Sequence, residues 1–512
     1  KKYNRSRHMK KIIATVLMFT MLLASFAACN NDSDESSAPA GSRTESTTSD
    51  AVSADLSSGE EVSEGFPLEA KFYDTEITIL VRSNHTFGAI QFVGNEDDDE
   101  VKYDRISDEV KSRNDIIETE YGITINAVKS STPGVTARDY ALAGDDTYDL
   151  VCESANNLLP GVQDKCFWSL DDLLQLDRPW YDQSARDNLS IDGRTFFVAG
   201  NMLLTDDDYT YCCLFNKKMY EENPELFGRY GSIYDIVKEG KWTYDTFYEM
   251  CKVVSAPDED GQWGTDGGTY GNISEGYVTA IWVNGAGVRT VEKDGNGGLY
   301  LNVASDRSVN AFNKVFEIMA DKTNTIRVEQ FSSDGWKKTS RMFMTGKGLF
   351  YGTTITAILN IKNAELEDKV YTGVLPVPKL DDEQEEYYCG INAYQSSVIG
   401  IPSSNSARLE ASCYLIELLG YYSDRVSQAY YEVTMKNQAL RDDEDSEMLD
   451  YITSHRLYDL GALFNWGGRL IGIYSDVMRS GTNTLISSFE AIQDSAQNAM
   501  DDTLEAYREI FQ

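Results

Sequence analysis

Histidine is scarce in this chain, and the scarcity limits the catalysis that the chain can carry out. The 512 residues include three histidines, His8, His85 and His455. Neither the His-Glu-x-x-His pattern of zinc hydrolases nor the Gly-x-Ser-x-Gly pattern of serine hydrolases occurs. Schemes in which histidine activates a nucleophile are therefore disfavoured. A secreted glycan-active enzyme that uses two carboxylates remains an alternative. With 83 aspartates and glutamates in the chain, no single pair of them argues for or against such an enzyme.

Basic residues are also in short supply. Lysine and arginine together number 46 against 83 aspartates and glutamates, so the formal net charge is −37. An acidic surface repels phosphate polymers, and we therefore expect no binding to nucleic acid. Apolar residues make up 41% of the chain, which is ordinary for a soluble globular protein and too few for a polytopic membrane protein.

Long apolar runs are missing except near the start of the sequence. Residues 12–28 are uncharged, follow a basic stretch that ends at Lys11, and lead through small residues to Cys29. This run is shorter than the roughly 20 residues that a spanning helix needs, so residues 1–29 are predicted to be a secretory signal. Translation could also start at Met9, because Lys10 and Lys11 would still supply the basic segment of such a signal. The small residues before Cys29 resemble a bacterial lipobox, which predicts a lipid anchor; ordinary secretion is the alternative.

Residues 30–68 are rich in serine, threonine, alanine and acidic residues, with Arg43 as the one basic residue. Such a segment buries too little apolar surface to offset the entropy lost on ordering. We predict a flexible tether that holds the folded body on the extracellular face of the cytoplasmic membrane, as in Gram-positive bacteria.

The remaining cysteines are odd in number and lack the spacing of a metal site. Their apolar neighbours favour buried thiols, although pairing in an oxidising compartment stays open. Two fragments, at 258–261 and 294–297, resemble parts of calcium loops but lack the distal glutamate, so we interpret them as turns. Neither a metal nor a cofactor is expected. The cysteines are Cys152, Cys166, Cys212, Cys213, Cys251, Cys389 and Cys413.

The length of the chain predicts two lobes, because single cores stop growing at about 250–300 residues. Residues 76–81, 123–128 and 148–152 have strand character, and 101–120 has the pattern of a helix. Strands that alternate with helices indicate crossover units and a largely parallel sheet. A second α/β region begins near residue 209. Within this region, Thr243 is placed to cap a helix over 244–254. Residues 258–300 are dense in glycine and aspartate and are interpreted as turns.

Seven short segments stand out, in order along the chain. They are YDLV at 148–151, DGRTFF at 192–197, LFNKKMY at 214–220, WTYDTF at 242–247, GKGLFYG at 346–352, VLPVP at 374–378 and SVIGIP at 397–402. Each segment alone is weakly specific, but together they resemble the extracellular solute-binding proteins of sugar ABC importers, the family of maltose-binding protein. The resemblance covers about residues 70–512.

The resemblance implies an α/β, two-lobed periplasmic-binding-protein-like fold of class II type, each lobe a mainly parallel sheet flanked by helices. Residues 69–203 with 395–450 would form lobe 1, and 204–394 with 451–512 would form lobe 2. It implies no enzyme but a monomeric receptor that closes on a small polar solute, expected to be a mono- or oligosaccharide. Its partners would be the permease subunits of an importer and, through Cys29, the membrane. A receptor for another solute, such as a peptide, is the alternative.

Candidate ligand contacts come from loops that follow predicted strands and from positions that family members use. One departure is that Thr353 and Thr354 stand where many sugar-binding members have a tryptophan, which removes a stacking platform and argues against a maltodextrin-like ligand. The candidates are Asn84, His85, Glu153, Ser154, Asn201, Tyr209, Tyr351, Thr353, Thr354, Asn392, Tyr394 and Trp466.

Overall fold

The computed structural model describes residues 66–95, 103–265, 267–331, 335–364, 366, 370–436, 440, 442–464, 466–468 and 470–509. The predicted signal, Cys29 and the predicted tether up to residue 65 lie outside the described residues. Within the described part of the chain, no helix combines the length and the apolar character needed to cross a bilayer.

The strands are β1 Thr75–Arg82, β2 Ile123–Ser130, β3 Leu150–Ser154, β4 Tyr211–Asn216, β5 Tyr270–Ser274, β6 Val291–Lys293, β7 Leu299–Leu301, β8 Thr325–Arg327, β9 Gly348–Thr354, β10 Thr372–Leu375, β11 Cys389–Gly390, β12 Ser397–Gly400 and β13 Arg456–Leu457.

The α-helices span Ile90–Val93, Asp104–Tyr121, Pro133–Ala143, Ala155–Gln163, Gln183–Leu189, Thr205–Asp208, Lys217–Glu221, Pro224–Tyr230, Ile233–Lys238, Tyr244–Val254, Gly276–Gly285, Asp306–Ala320, Gly335–Met344, Thr356–Asn363, Leu409–Tyr422, Asp424–Gln428, Asp443–Ser454, Leu460–Phe464, Gly472–Ser480, Leu485–Glu490 and Gln493–Glu509. Short 3-10 turns lie at Val328–Gln330 and Trp466–Gly468, and a π-helix lies at Ala429–Lys436.

The first sheet has the strand order β12-β3-β1-β2. β1 pairs in parallel with β2 and with β3, whereas β12 returns antiparallel to β3. Ile77, Ile79, Leu80 and Val81 of β1 are fully buried, as expected for an inner strand with helices on both faces. The prediction of a strand here and of crossover helices between the strands is confirmed.

The second sheet has the order β10-β4-β9-β5-β8. β5 pairs in parallel with β8 and β9, but β4 runs antiparallel to both β9 and β10. This sheet is thus more mixed than predicted, because β4 carries the chain away from the first sheet while β9 runs back toward it. Thr243 caps helix Tyr244–Val254 as predicted, since its hydroxyl accepts a hydrogen bond from the Thr246 amide at 3.2 Å.

The segment after β12 contacts both sheets in turn. Helix Asp443–Ser454, predicted in part for lobe 1, packs against β10 of the second sheet, where the Val374 amide donates to Asp445 at 3.0 Å. Helix Gly472–Ser480 packs against helix Gly276–Gly285 of the second sheet. The last helix, Gln493–Glu509, instead contacts helix Ala155–Gln163, which follows β3 of the first sheet. The lobe boundaries given above for this segment stay a prediction.

All seven cysteines in the described residues are buried and free. Burial raises the pKa of the Cys212, Cys213 and Cys251 thiols well above the ordinary range. The expectation of buried thiols is confirmed, and these groups are unreactive at neutral pH.

The core of the second sheet supplies a test of packing. Phe350 on β9 is fully buried, and its ring centroid lies 5.3 Å from that of Trp242 and 4.7 Å from that of Phe247. Phe350→Ala leaves a cavity among large rings and should lower the free energy of unfolding by about 3–5 kcal/mol, measured by urea denaturation. Tyr300→Ala, at a site 47% exposed on β7, is the control; equal losses in the two variants would contradict this account of the core.

Candidate ligand-binding site

The two sheets are joined where their strand ends meet. The carboxyl ends of β1, β2 and β3 lie at one edge of the first sheet, because these strands are parallel. In the second sheet, Tyr211 at the start of β4 pairs with Thr354 at the end of β9, and β5 and β8 end at the same edge. Loops after such strand ends are the usual ligand sites of α/β sheets.

Two connecting segments run between these edges. We call residues 203–210 the first crossover and residues 391–396 the second crossover. They are paired with each other: Thr210 forms an antiparallel bridge with Ile391, and the Asn392 amide donates to the Tyr209 carbonyl at 3.0 Å. The candidate site is the group of side chains from both edges that surrounds this pair of crossovers.

On the side of the first sheet, Arg82 and Glu153 form a buried ion pair, with 3.3 Å between Nε and Oε1. The same carboxylate accepts hydrogen bonds from the amide and the hydroxyl of Ser154, at 2.7 and 3.0 Å. Arg82 also donates to the carbonyl of Tyr394 at 3.0 Å. Arg82 therefore ties the end of β1 to the second crossover, and Glu153 and Ser154 are engaged mainly with this internal network.

His85 lies beside the first crossover. It is 8% exposed, and its ring centroid lies 4.7 Å from that of Tyr209 in a T-shaped arrangement. Within the described structure neither ring nitrogen has a hydrogen bond of good geometry, although the backbone of Gln395 interacts with the ring. Burial, aided by the charge of Arg82, lowers the pKa of His85 to about 3. The imidazole is therefore neutral, with one donor and one acceptor to offer.

On the side of the second sheet, a group of tyrosines surrounds Glu275. Glu275 follows β5 directly and precedes helix Gly276–Gly285, and its carboxylate accepts a hydrogen bond from the Tyr211 hydroxyl. The ring of Tyr277 lies 6.1 Å from that of Tyr211 and 6.2 Å from that of Tyr394. The Tyr277 hydroxyl is buried and has no hydrogen-bond partner among the described residues. A donor and an acceptor are thus available beside an aromatic pair.

Burial, together with the charge of Glu329, raises the pKa of Glu275 to about 7, against the opposing effects of Tyr211 and Arg479. Glu329, which follows β8, accepts a hydrogen bond from the Gly276 amide and lies 4.0 Å from Arg479. Glu275 is therefore a carboxyl group that can exchange its proton near neutral pH. Glu275 and Tyr277 are absent from the predicted contacts because the glycine- and aspartate-rich sequence around them is typical of turns.

Several predicted residues do lie at this junction. Asn392 and Tyr394 are on the second crossover, where the Asn392 amide group donates to the Tyr211 hydroxyl at 3.5 Å and Tyr394 is 41% exposed. Tyr351, Thr353 and Thr354 lie on the last half of β9. Burial raises the pKa of Tyr351 to about 12. Asn84 lies in the exposed turn after β1.

Asn201 and Trp466 are not brought to this junction. The Asn201 side chain donates to Asp424 at 3.0 Å, among helices of the first sheet. Trp466 is 4% exposed, stacks on Phe464 at 4.6 Å, and donates from Nε1 to Thr503 at 2.9 Å. Helix Gln493–Glu509 supplies Thr503 and covers the indole, so no face of Trp466 is open to a sugar.

The two calcium-like fragments form turns closed by their own carboxylates. Asp258 accepts from the amides of Asp260 and Gln262 at 3.0 and 2.7 Å. Asp294 accepts from the amides of Asn296 and Gly298 at 2.7 and 2.8 Å. These contacts are those of a side chain that mimics a backbone turn.

Comparison with solved structures identifies the fold. A cyclo/maltodextrin-binding protein complexed with maltotetraose superposes with a TM-score of 0.53 at 15% identity, over 87% of this chain and 98% of that chain. An ABC substrate-binding protein from Listeria monocytogenes in complex with cycloalternan superposes with a TM-score of 0.51 at 12% identity, over 83% and 99% of the two chains. No protein-family model matches the sequence, and no curated protein matches it. The chain therefore has the two-lobed, periplasmic-binding-protein-like fold of these proteins.

The raised pKa of Glu275 predicts how stability varies with pH. Because the pKa rises from 4.5 to about 7 on folding, the folded protein keeps a proton that the unfolded chain has released in this interval. The contribution of Glu275 to the free energy of unfolding therefore falls as the pH rises through this window. Glu275→Gln cannot ionise, so its stability relative to the wild type should improve from pH 5 to pH 8, measured by urea unfolding.

Glu410→Gln is the matched control. Lys71 holds the pKa of Glu410 below its usual range, so Glu410 is ionised in both states over the same window. Its substitution should leave the slope between pH 5 and pH 8 unchanged. A Glu275→Gln curve parallel to the wild-type curve would show that Glu275 is ordinarily ionised in the folded protein.

Proposed function

We propose that this chain is an extracellular, lipid-anchored binding protein of an ABC importer, which holds a neutral sugar at the crossovers and releases it unchanged. The observation that carries the proposal is the convergence of Tyr277, Tyr394, Glu275 and His85, from both sheets, on the two crossovers. Aromatic faces with a few fixed polar groups are the usual composition of a sugar site.

The charges around the crossovers favour a neutral ligand. Arg82 is paired with Glu153, and Arg479 and Arg327 both face Glu329. Among the described residues at this junction, each cation thus has an acidic neighbour, and none is left to attract a carboxylate or a phosphate on a ligand. A polyhydroxylated neutral solute matches groups that can donate and accept but carry no net charge.

The aromatic residues compensate for the missing tryptophan after β9. Tyr277 opens a helix of the second sheet, whereas Tyr394 lies on the second crossover, with an angle of 67° between the rings. A sugar ring can stack on an exposed tyrosine face while its hydroxyl groups reach the neighbouring polar atoms. The platform lost at Thr353 and Thr354 is, on this proposal, replaced by tyrosines from other elements.

Closure by rotation about the crossovers would couple binding to transport. A ligand favours the closed state only if it gains contacts there that it lacks in the open state, and a ligand held from both sheets meets this condition. The permease subunits of an importer would then recognise the closed form. Neither catalysis nor a cofactor is part of this function.

The sugar ligand is tested by a thermal-shift screen with maltotetraose, cycloalternan, monosaccharides and, as a control class, short peptides. A ligand at 100 times its Kd should add about 2.7 kcal/mol to the free energy of unfolding. Isothermal titration then gives the affinity and stoichiometry, with one solute per chain expected. A shift with peptides alone would replace the sugar by a peptide, and appearance of cleaved oligosaccharide would indicate an enzyme.

Substitution of Tyr394 tests the aromatic pair. Tyr394→Ala should weaken the affinity for the sugar that binds best by about tenfold, since a ring stacking contact is lost, and it should leave the melting temperature of the free protein nearly unchanged. Tyr300→Ala removes a tyrosine of similar exposure on β7 and should bind like the wild type. Unchanged affinity in Tyr394→Ala would remove this residue from the site.

Cys29 is the expected attachment point of the lipid. Cys29→Ser should abolish incorporation of a radiolabelled fatty acid and should release the protein from the membrane fraction into the medium, measured in a Gram-positive expression host. Cys413→Ser, at a buried cysteine of the body, is the control and should stay attached. Retention of Cys29→Ser on the membrane would contradict lipid anchoring at this residue.

A further inference from the structure

Arg456 on β13 lies in a buried ionic cluster beside the crossovers. Its guanidinium contacts carboxylates of Asp182 at 3.3 Å and of Asp206 at 3.8 Å, and it forms an ion pair with Asp207. The side chains of all four residues are at most about one-tenth exposed. In the described structure, Arg456 is the one cation within ion-pair distance of these carboxylates.

Neutral groups complete the contacts of the guanidinium. Arg456 Nε donates to the Thr210 hydroxyl at 3.2 Å, and Nη2 donates to the Tyr431 hydroxyl at 3.2 Å. The Tyr458 hydroxyl donates to Asp182 at 3.2 Å. The planar guanidinium of Arg456, the fork of its N–H donors, therefore faces an acceptor from each of its three nitrogens. A rotated guanidinium would lose some of these contacts.

The cluster joins segments that belong to different parts of the fold. Asp182 adjoins Tyr181, which bridges to Gly200 in the stretch that pairs with β12 of the first sheet. Asp206 and Asp207 lie on the first crossover. Arg456 follows helix Asp443–Ser454, which packs on the second sheet, and its strand pairs with β11 just before the second crossover.

Rotation of one sheet against the other must turn these segments relative to each other. A buried guanidinium cannot exchange its partners for water without a large penalty, so the cluster resists small displacements. It therefore favours discrete arrangements over a continuous range of angles, as packed interfaces do.

We propose that Arg456 is a positioning residue of the hinge, which holds the crossovers in the arrangement of this structure and thereby sets the equilibrium between open and closed forms. The inference rests on the proposed function for its consequence in binding, but its structural part applies to the ligand-free protein. Arg456 itself contacts no ligand in this account.

Amide hydrogen exchange on the ligand-free protein tests the structural part. Arg456→Gln should exchange about tenfold faster at residues 203–211, 389–397 and 455–459, because local opening there becomes easier. Arg456→Lys keeps the charge but not the fork, and should show a smaller increase in the same segments. It also serves as the measurable variant if Arg456→Gln does not fold.

Lys217→Gln is the matched control. Lys217 is buried and pairs with Asp442 and with Asp445, at 2.7 Å from the latter, within the packing of the second sheet. Its removal should speed exchange around β4, β10 and helix Asp443–Ser454, with the crossovers like the wild type. Exchange that rises uniformly over the whole chain in the Arg456 variants, as in a general loss of stability, would overturn the proposal.

Small-angle scattering with and without maltotetraose or cycloalternan tests the consequence for binding. The Arg456 variants should change the radius of gyration of the free protein and shift Kd about tenfold, with stoichiometry kept, whereas Lys217→Gln should shift neither. Wild-type values of both quantities in Arg456→Lys and Arg456→Gln would refute the role of Arg456. If no sugar binds the wild type, the proposed function fails, while the exchange and ligand-free scattering experiments still decide the hinge.

Discussion

The pairing of the two crossovers is the constraint on which the rest of the molecule depends. The bridge between Thr210 and Ile391 and the hydrogen bond from Asn392 to the Tyr209 carbonyl hold the two connecting segments side by side. Because both sheets direct strand ends to this place, the loops after β1, β3, β5, β8 and β9 converge without any contact specific to a ligand. The direction of the strands therefore decides where the candidate site lies, and the side chains of the loops decide only what it can bind.

Burial decides the chemistry at this junction. His85 is kept neutral, and burial raises the pKa of Glu275 to about 7 and that of Asp208 to about 6. Burial also raises the pKa of Asp206, although the charge of Arg456 opposes this rise. In water these carboxyl groups would be fully ionised at neutral pH. A region that suppresses net charge while keeping hydrogen-bonding groups is better suited to a hydroxylated neutral molecule than to an ion.

The sequence predicted the features that have local causes. The apolar alternation of 76–81 corresponds to β1, and the helix predicted at 244–254 is Tyr244–Val254. β5 escaped prediction because Gly271 and Asn272 are poor strand formers. Gly271 is required by a distant contact: a Cβ there would come within 2.2 Å of the Cys251 Cβ. Missing β5 also hid Glu275 and Tyr277, and nothing local to Trp466 reveals that helix Gln493–Glu509 covers it.

The path of the chain after β12 bears on the rotation proposed for the two sheets. Two lobes joined by two crossovers alone would turn about a single paired joint. Here helices Asp443–Ser454 and Gly472–Ser480 pack on the second sheet, whereas Leu460–Phe464 and Gln493–Glu509 contact the first. Each passage between them adds a connection that would have to bend in the proposed rotation. The passage through Arg456 lies beside the crossovers, where that rotation would displace the chain least, and this position suits a rigid buried ion cluster better than a site far from the proposed axis.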